Sequence, residues 1–134
     1  MNLIEISVIL ILHWIADYVM QDGEWAVRKS KDFDFLVTHT FVYSVIMSTG
    51  VGVLMYYNIS CIDCLPCTIF IFFIVTFLLH TITDFFTSKK TSREYSKKNF
   101  GTTIPRGFDF FVTLGFDQLL HYIQLFGIYY LLIK

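Results

Sequence analysis

The chain has 134 residues, the length of a single domain spanning 1–134. It is 55% hydrophobic and only 16% charged, with 15 Phe and 8 Tyr, against about 25% charged residues in an ordinary soluble domain. A soluble fold of this size cannot hide so much apolar surface, so the common soluble classes are excluded and an integral membrane protein is expected; the formal net charge of −1 gives no basis for nucleic-acid contact.

The first apolar run covers 3–20, about enough to cross a hydrocarbon core as a helix. Met1 to Glu5 contain no basic residue, and no small-residue cleavage site follows, so a cleaved signal peptide is not expected. Inside this run lies His13-Trp-Ile-Ala-Asp17. Four residues make about one helical turn, so His13 and Asp17 are expected on one face. A polar connection follows, from Gln21 to Asp34, containing Trp25, Arg28, Lys29 and Lys31, with the character of a short interfacial helix. The second run, 35–57, has no formally charged residue but carries His39.

Asn58 to Pro66 form a short loop around Cys61 and Cys64, with Cys67 just beyond. A disulfide with one thiol left over, or three plain thiols, fits better than a zinc site, which wants a fourth ligand. The third run, 67–86, is rich in Phe and Ile and ends on His80-Thr-Ile-Thr-Asp84. Residues 87–107 form the longest polar segment. The fourth run, 108–133, carries Asp109, Asp117-Gln-Leu-Leu-His121 and Gln124. Runs near twenty residues without alternation argue for helices over membrane strands. The expected fold is therefore all-α: a four-transmembrane-helix bundle with a polar, metal-binding interior.

Basic residues set the expected topology. Arg28, Lys29 and Lys31 precede the second run; Lys89, Lys90, Arg93, Lys97, Lys98 and Arg106 precede the fourth; the loop between runs two and three has none. The positive-inside rule then puts both basic connections in the cytoplasm and both termini outside. At about 1.5 Å rise per residue, His13, Asp17, His39, His80, Asp84 and Asp117 fall in the cytoplasmic half of the bilayer, with His121 somewhat deeper.

Charged side chains at that depth are costly unless paired, neutralised or metal-bound. Imidazole and carboxylate are ligands for zinc, manganese or iron. His13, Asp17, His39, His80, Asp84, Asp117 and His121 make seven candidate ligands, a set that suits two divalent ions, zinc foremost, better than one. Asp17 and Asp84, with a metal-bound water, are the candidate catalytic groups. Trp14, Gln21 and Gln118 are candidates to orient the ligands. Arg28, Lys29 and Lys31 are candidates to position an anionic substrate. The chain has no His-Glu-x-x-His, and the Glu-x-x-His pairs of di-iron carboxylate bundles are missing.

The combined pattern His-Trp-x-x-Asp-Tyr-x-x-Gln at 13–21, His39 after a basic connection, His80-x-x-x-Asp84 and Asp117-Gln-x-x-His121 resembles the bacterial and phage membrane proteins grouped as domain of unknown function 3307. That family is in turn similar to bacterial membrane-bound metal-dependent hydrolases and, more distantly, to the all-helical zinc-dependent phospholipase C fold. The resemblance implies a membrane-embedded metal-dependent hydrolase. Its expected substrate is a phosphoester in a lipid or lipid-like molecule at the cytoplasmic leaflet, with membrane lipid as partner. The alternative is a small metal-cation or proton transporter, or a channel subunit, using the same His/Asp cluster.

Overall fold

The computed structural model describes residues 1–21, 23–58, 65–98, 100 and 109–133. Cys61, Cys64, Arg106 and Lys134 lie outside the described residues; Cys67 is exposed and not in a disulfide. The chain is helical, with no strand among the described residues. Helix α1 spans Leu3–Trp14 and runs directly into a π-helical turn, Ile15–Val19. A short helix α2 spans Gly23–Arg28, followed by α3 at Phe33–Asn58, α4 at Leu65–Ser96 and α5 at Phe110–Ile133.

The ends of these helices follow from local chemistry. Asn2 and Glu5 form a capping box: the Glu5 N–H donates to Asn2 Oδ1 and the Asn2 N–H to Glu5 Oε2, both at 2.9 Å. Asp109 caps α5 by accepting the Val112 N–H at 2.9 Å. Its position at the head of the fourth run therefore serves the backbone. Pro66 sits in the first turn of α4, where its missing N–H costs nothing. That helix continues about ten residues beyond the third apolar run, through nearly the first half of the segment expected from composition to be a polar connection. No Gly or Pro interrupts Thr87–Ser96; the helix stops where Lys98 takes a left-handed φ of 54°.

Helix α4 packs against both α3 and α5, and α1 packs on α3. Small residues allow close approach: a Cβ at Gly50 would collide with the Leu12 side chain, and one at Gly52 would lie 2.8 Å from Ile69 Cδ1. The interior is split along its length. At one end the core is mainly apolar, built from Ile9, Met47, Val51, Met55, Phe72, Leu125 and Ile128, with Glu5 and Tyr129 buried among them. At the other the buried residues are polar: His13, Asp17, His39, His80, Asp84, Asp117 and His121 are each 9% exposed or less. The outer surface is the reverse. Ile11, Phe41, Val53, Phe70, Leu78, Phe111, Ile123 and Leu131 all stand exposed. Helices α3 and α4 are long and apolar enough to cross a membrane.

The two kinds of glycine separate under substitution. Gly50→Ile forces α1 and α3 apart and should lower stability by about 1–3 kcal/mol. Gly115, with nothing within 4 Å of an added Cβ, should tolerate Ala with a gain of about 0.5–1 kcal/mol. Thermal unfolding in detergent reads both; equal melting temperatures for the two variants would contradict the close helix crossing.

Candidate metal centre

Four helical segments bring the polar residues to one place. Asp17 comes from the π-turn, His39 from α3, His80 and Asp84 from α4, and Asp117 and His121 from α5. The π-turn matters most for Asp17. Its widened ring, with the Met20 N–H bonded to the Ile15 carbonyl at 2.9 Å, breaks the regular phase of α1. Asp17 meets α3 and α4, while His13 is engaged elsewhere.

Three donor atoms lie in a triangle: Asp17 Oδ1 to His39 Nε2 is 3.2 Å, His39 Nε2 to His80 Nε2 is 3.4 Å, and His80 Nε2 to Asp17 Oδ1 is 3.8 Å. Asp84 Oδ2 closes the group, 3.4 Å from His39 and 3.8 Å from His80. A tetrahedral zinc with bonds of about 2.0–2.2 Å separates its ligand atoms by about 3.3–3.6 Å. The five edges above scatter around that length. The other oxygen of Asp84 faces a second group: Oδ1 is 3.1 Å from His121 Nε2, which is 3.3 Å from Asp117 Oδ1. Asp84 thus bridges two neighbouring sets of donors. Asp17, His39 and His80, and separately His80, Asp84 and His121, each offer ligand atoms within 4.8 Å of one another.

Orphaned atoms support a missing cation. Asp17 Oδ1 and Asp117 Oδ1 are buried without a hydrogen bond; the neighbouring imidazoles stand at ion-pair distance but not in donor geometry. Buried carboxylate oxygens rarely go unsatisfied in a stable interior. The donor set and its spacing fit a divalent metal.

Several neighbours hold this cluster in shape. Gln118 donates through Nε2 to Asp17 Oδ2 at 3.1 Å and Asp117 Oδ2 at 3.3 Å. Its Oε1 can only accept, so His13 Nε2, 2.9 Å away, carries the proton, and His13 Nδ1 accepts from the Tyr43 hydroxyl at 2.8 Å. Both His13 nitrogens are therefore engaged. His13 stands behind the ligands, as the residue that orients Gln118, and not among them as its spacing to Asp17 suggested. Tyr43 also stacks on His80, with ring centroids 3.8 Å apart and 7° between planes. Tyr43 escaped the sequence reading, although it lies one turn after His39 and so on the same face.

The other sequence candidates divide. Gln118 does orient ligands; Gln21 lines the cavity above them; Trp14 is 57% exposed, with its ring away from the buried cluster. Arg28 is bound to Glu24 at 2.6 Å and Asp32 at 3.4 Å on the surface, and Lys31 is exposed. Lys29 alone of the three cations reaches the site, donating to Asp84 Oδ2 at 2.8 Å and lying 3.4 Å from His39 Nε2. Sequence spacing gave the aspartates no basic neighbour, because Lys29 arrives from a connection and not from a helix.

Above the cluster opens a cavity of about 420 Å³. Asp17, Asp84, Asp117 and Lys29 form its inner end, and the polar extension of α4 forms one wall.

Burial opposes the charge on Lys29, but the carboxylates of Asp84 and Asp17 outweigh it and hold its pKa above the ordinary 10.5. A pKa raised by folding stabilises the fold fully below pH 10.5, and that contribution fades as pH rises through the higher folded value. Lys29→Met in metal-free protein should cost about 3 kcal/mol at neutral pH, because Asp84 is left a buried charge without its cation. The gap to the parent should narrow only in strong alkali. Unfolding in detergent across pH reads this, and an unchanged melting temperature at neutral pH would refute the pairing.

No curated protein and no solved structure matches the chain. A family profile described as "Protein of unknown function (DUF3307)" matches residues 6–134, a span that takes in most of α1, all the later helices and every member of the cluster, and the chain belongs to that family.

Proposed function

We propose that the chain is a membrane-embedded, metal-dependent hydrolase acting on a phosphoester of a lipid or lipid-like substrate. All four long helical segments cross the bilayer in this reading. The apolar exteriors of α1 and α5, carrying Ile11, Phe111, Ile123 and Leu131, match those of α3 and α4 and need lipid to cover them. Both termini then lie outside, and the basic connections and the cavity face the cytoplasm of a bacterial inner membrane.

The observation that carries the reading is the meeting of Asp17, His39 and His80, with Asp84 beside both imidazoles, next to a cavity that Asp17 and Asp84 line. These four would hold the principal ion; Asp84, His121 and Asp117, with one imidazole against two, would hold a second, weaker one. When bound, such a cation supplies a Lewis acid for a phosphoryl oxygen and acidifies water. The protein's own groups do the rest. Gln118 fixes Asp17 and Asp117 so that each presents a buried Oδ1 to the cavity floor as ligand or proton acceptor. Lys29 donates to Asp84 Oδ2, and the Tyr43 ring stacks on His80.

A cation carrier built on the same residues is the second reading. Ser48, Thr76 and Thr113, whose hydroxyls are buried without partners, favour it. The apolar layer of Met47, Val51, Met55, Phe72, Leu125 and Ile128 beyond the cluster favours the enzyme, while Glu5 and Tyr129, buried beside it, favour the carrier.

Elemental analysis of protein purified in detergent should find about one tightly held zinc per chain. His80→Ala and Asp84→Asn should lose it, while Arg28→Ala should keep it. Hydrolysis of bis-p-nitrophenyl phosphate or phosphatidylglycerol should vanish with chelator and return with zinc. A parent free of stoichiometric metal would remove the proposal.

A further inference from the structure

The cavity extends well beyond the ligand cluster, and its far wall has its own chemistry. Thr87, Ser88, Thr91, Ser92 and Tyr95 lie on one face of the α4 extension and all line it. Their spacing of three and four residues makes a continuous ladder of hydroxyls. Thr87 donates its hydroxyl proton to the Thr83 carbonyl at 2.9 Å, so its oxygen remains an acceptor toward the cavity. Ser88 Oγ and, on the opposite wall, Gln21 Nε2 are buried atoms with no hydrogen-bond partner. At the mouth Tyr95 meets Phe110, ring centroids 5.6 Å apart, and Phe100 packs on both at 5.9 and 5.8 Å.

Cations are scarce there. Among the described residues Lys29 is the one basic side chain lining the cavity, and it is bound to Asp84. Among the described lining residues, a second anionic group placed away from the metal cluster would find no charged donor. A ligand with many hydroxyls would find alternating donors and acceptors along α4, the free amide of Gln21, and aromatic rings to cover its C–H face.

We infer that this upper cavity binds a neutral polyhydroxylated headgroup, of the glycosyl, inositol or glycerol kind, and so selects hydroxylated lipids over choline or bare phosphate lipids. The inference rests on the hydrolase reading for its lipid substrate, but headgroup binding is measurable without turnover. The metal cluster takes the phosphoester or other reacting end of the molecule, and the α4 ladder takes the group beyond it.

The test is equilibrium binding to the full chain in nanodiscs. The probes are monoglucosyl diacylglycerol, phosphatidylinositol, phosphatidylcholine and phosphatidate, with methyl glucoside and inositol as soluble competitors. The hydroxylated lipids should bind at least tenfold more tightly than phosphatidylcholine or phosphatidate. The double variant S88A/T91A should cut that preference at least fivefold while its zinc content stays at the parent value. Tyr95→Phe, which keeps the ring, should lose less than Tyr95→Ala. Soluble sugar binding as tightly as the lipid would support the same ligand chemistry and assign it to a free polyol. Equal binding of all four lipids, a preference for phosphatidate, or a preference untouched in S88A/T91A would overturn the inference. A parent without metal that still prefers hydroxylated lipids would count against the hydrolase chemistry and not against this cavity.

Discussion

Three carboxylates buried among imidazoles dominate the energetics of this small bundle. An ionised carboxylate in a low-dielectric interior costs several kcal/mol unless a positive partner meets it. Asp84 meets Lys29 at 2.8 Å and His121 at 3.1 Å, and Asp17 and Asp117 share the amide of Gln118. The π-turn at Ile15–Val19 rotates Asp17 into the group, and the Tyr43 ring fixes the tilt of His80. These local departures from plain helix geometry converge on the same few oxygens. Even so, two of those oxygens are left buried without a donor, a deficit that a cation is suited to remove.

The interior is divided around this cluster. Beyond the imidazoles the helices close mainly on methionine, valine, leucine and phenylalanine, with Glu5 and Tyr129 buried among them. Toward the basic connections the helices separate around a cavity. In the hydrolase reading proposed above, a polar centre at the inner end of this cavity suits a substrate that enters from one leaflet. The extension of α4 past its apolar run makes the wall of that cavity, so the same helix that supplies His80 and Asp84 also supplies the surface above them.

Much of this was legible before any coordinates. Run lengths gave four long helical stretches, and histidines and aspartates at four-residue spacing gave most of the cluster, because side-chain direction in a helix follows from sequence separation alone. Reading failed where the backbone left regular geometry. His13 and Asp17 part company because a π-turn begins two residues before the aspartate, and hydrophobic periodicity carries no signal for one extra residue in a turn. Lys29 was invisible as a partner for Asp84 because the contact spans 55 positions and comes from a connection. The α4 extension was hidden by its polar composition, which mimics a loop although nothing in Thr87–Ser96 breaks a helix. Tyr43 was within reach, one turn from His39, and was overlooked because aromatic residues are so abundant that a single one carries little weight.

The central claim is that a divalent cation belongs among Asp17, His39, His80 and Asp84. X-ray absorption at the zinc edge, on the full chain purified in detergent without added chelator, tests it most directly. The account predicts a first shell of nitrogen and oxygen at about 2.0–2.1 Å, with the outer-shell pattern of two imidazoles that falls to one in His80→Ala. An absent edge, or a shell dominated by sulfur at about 2.3 Å from the cysteines, would contradict it.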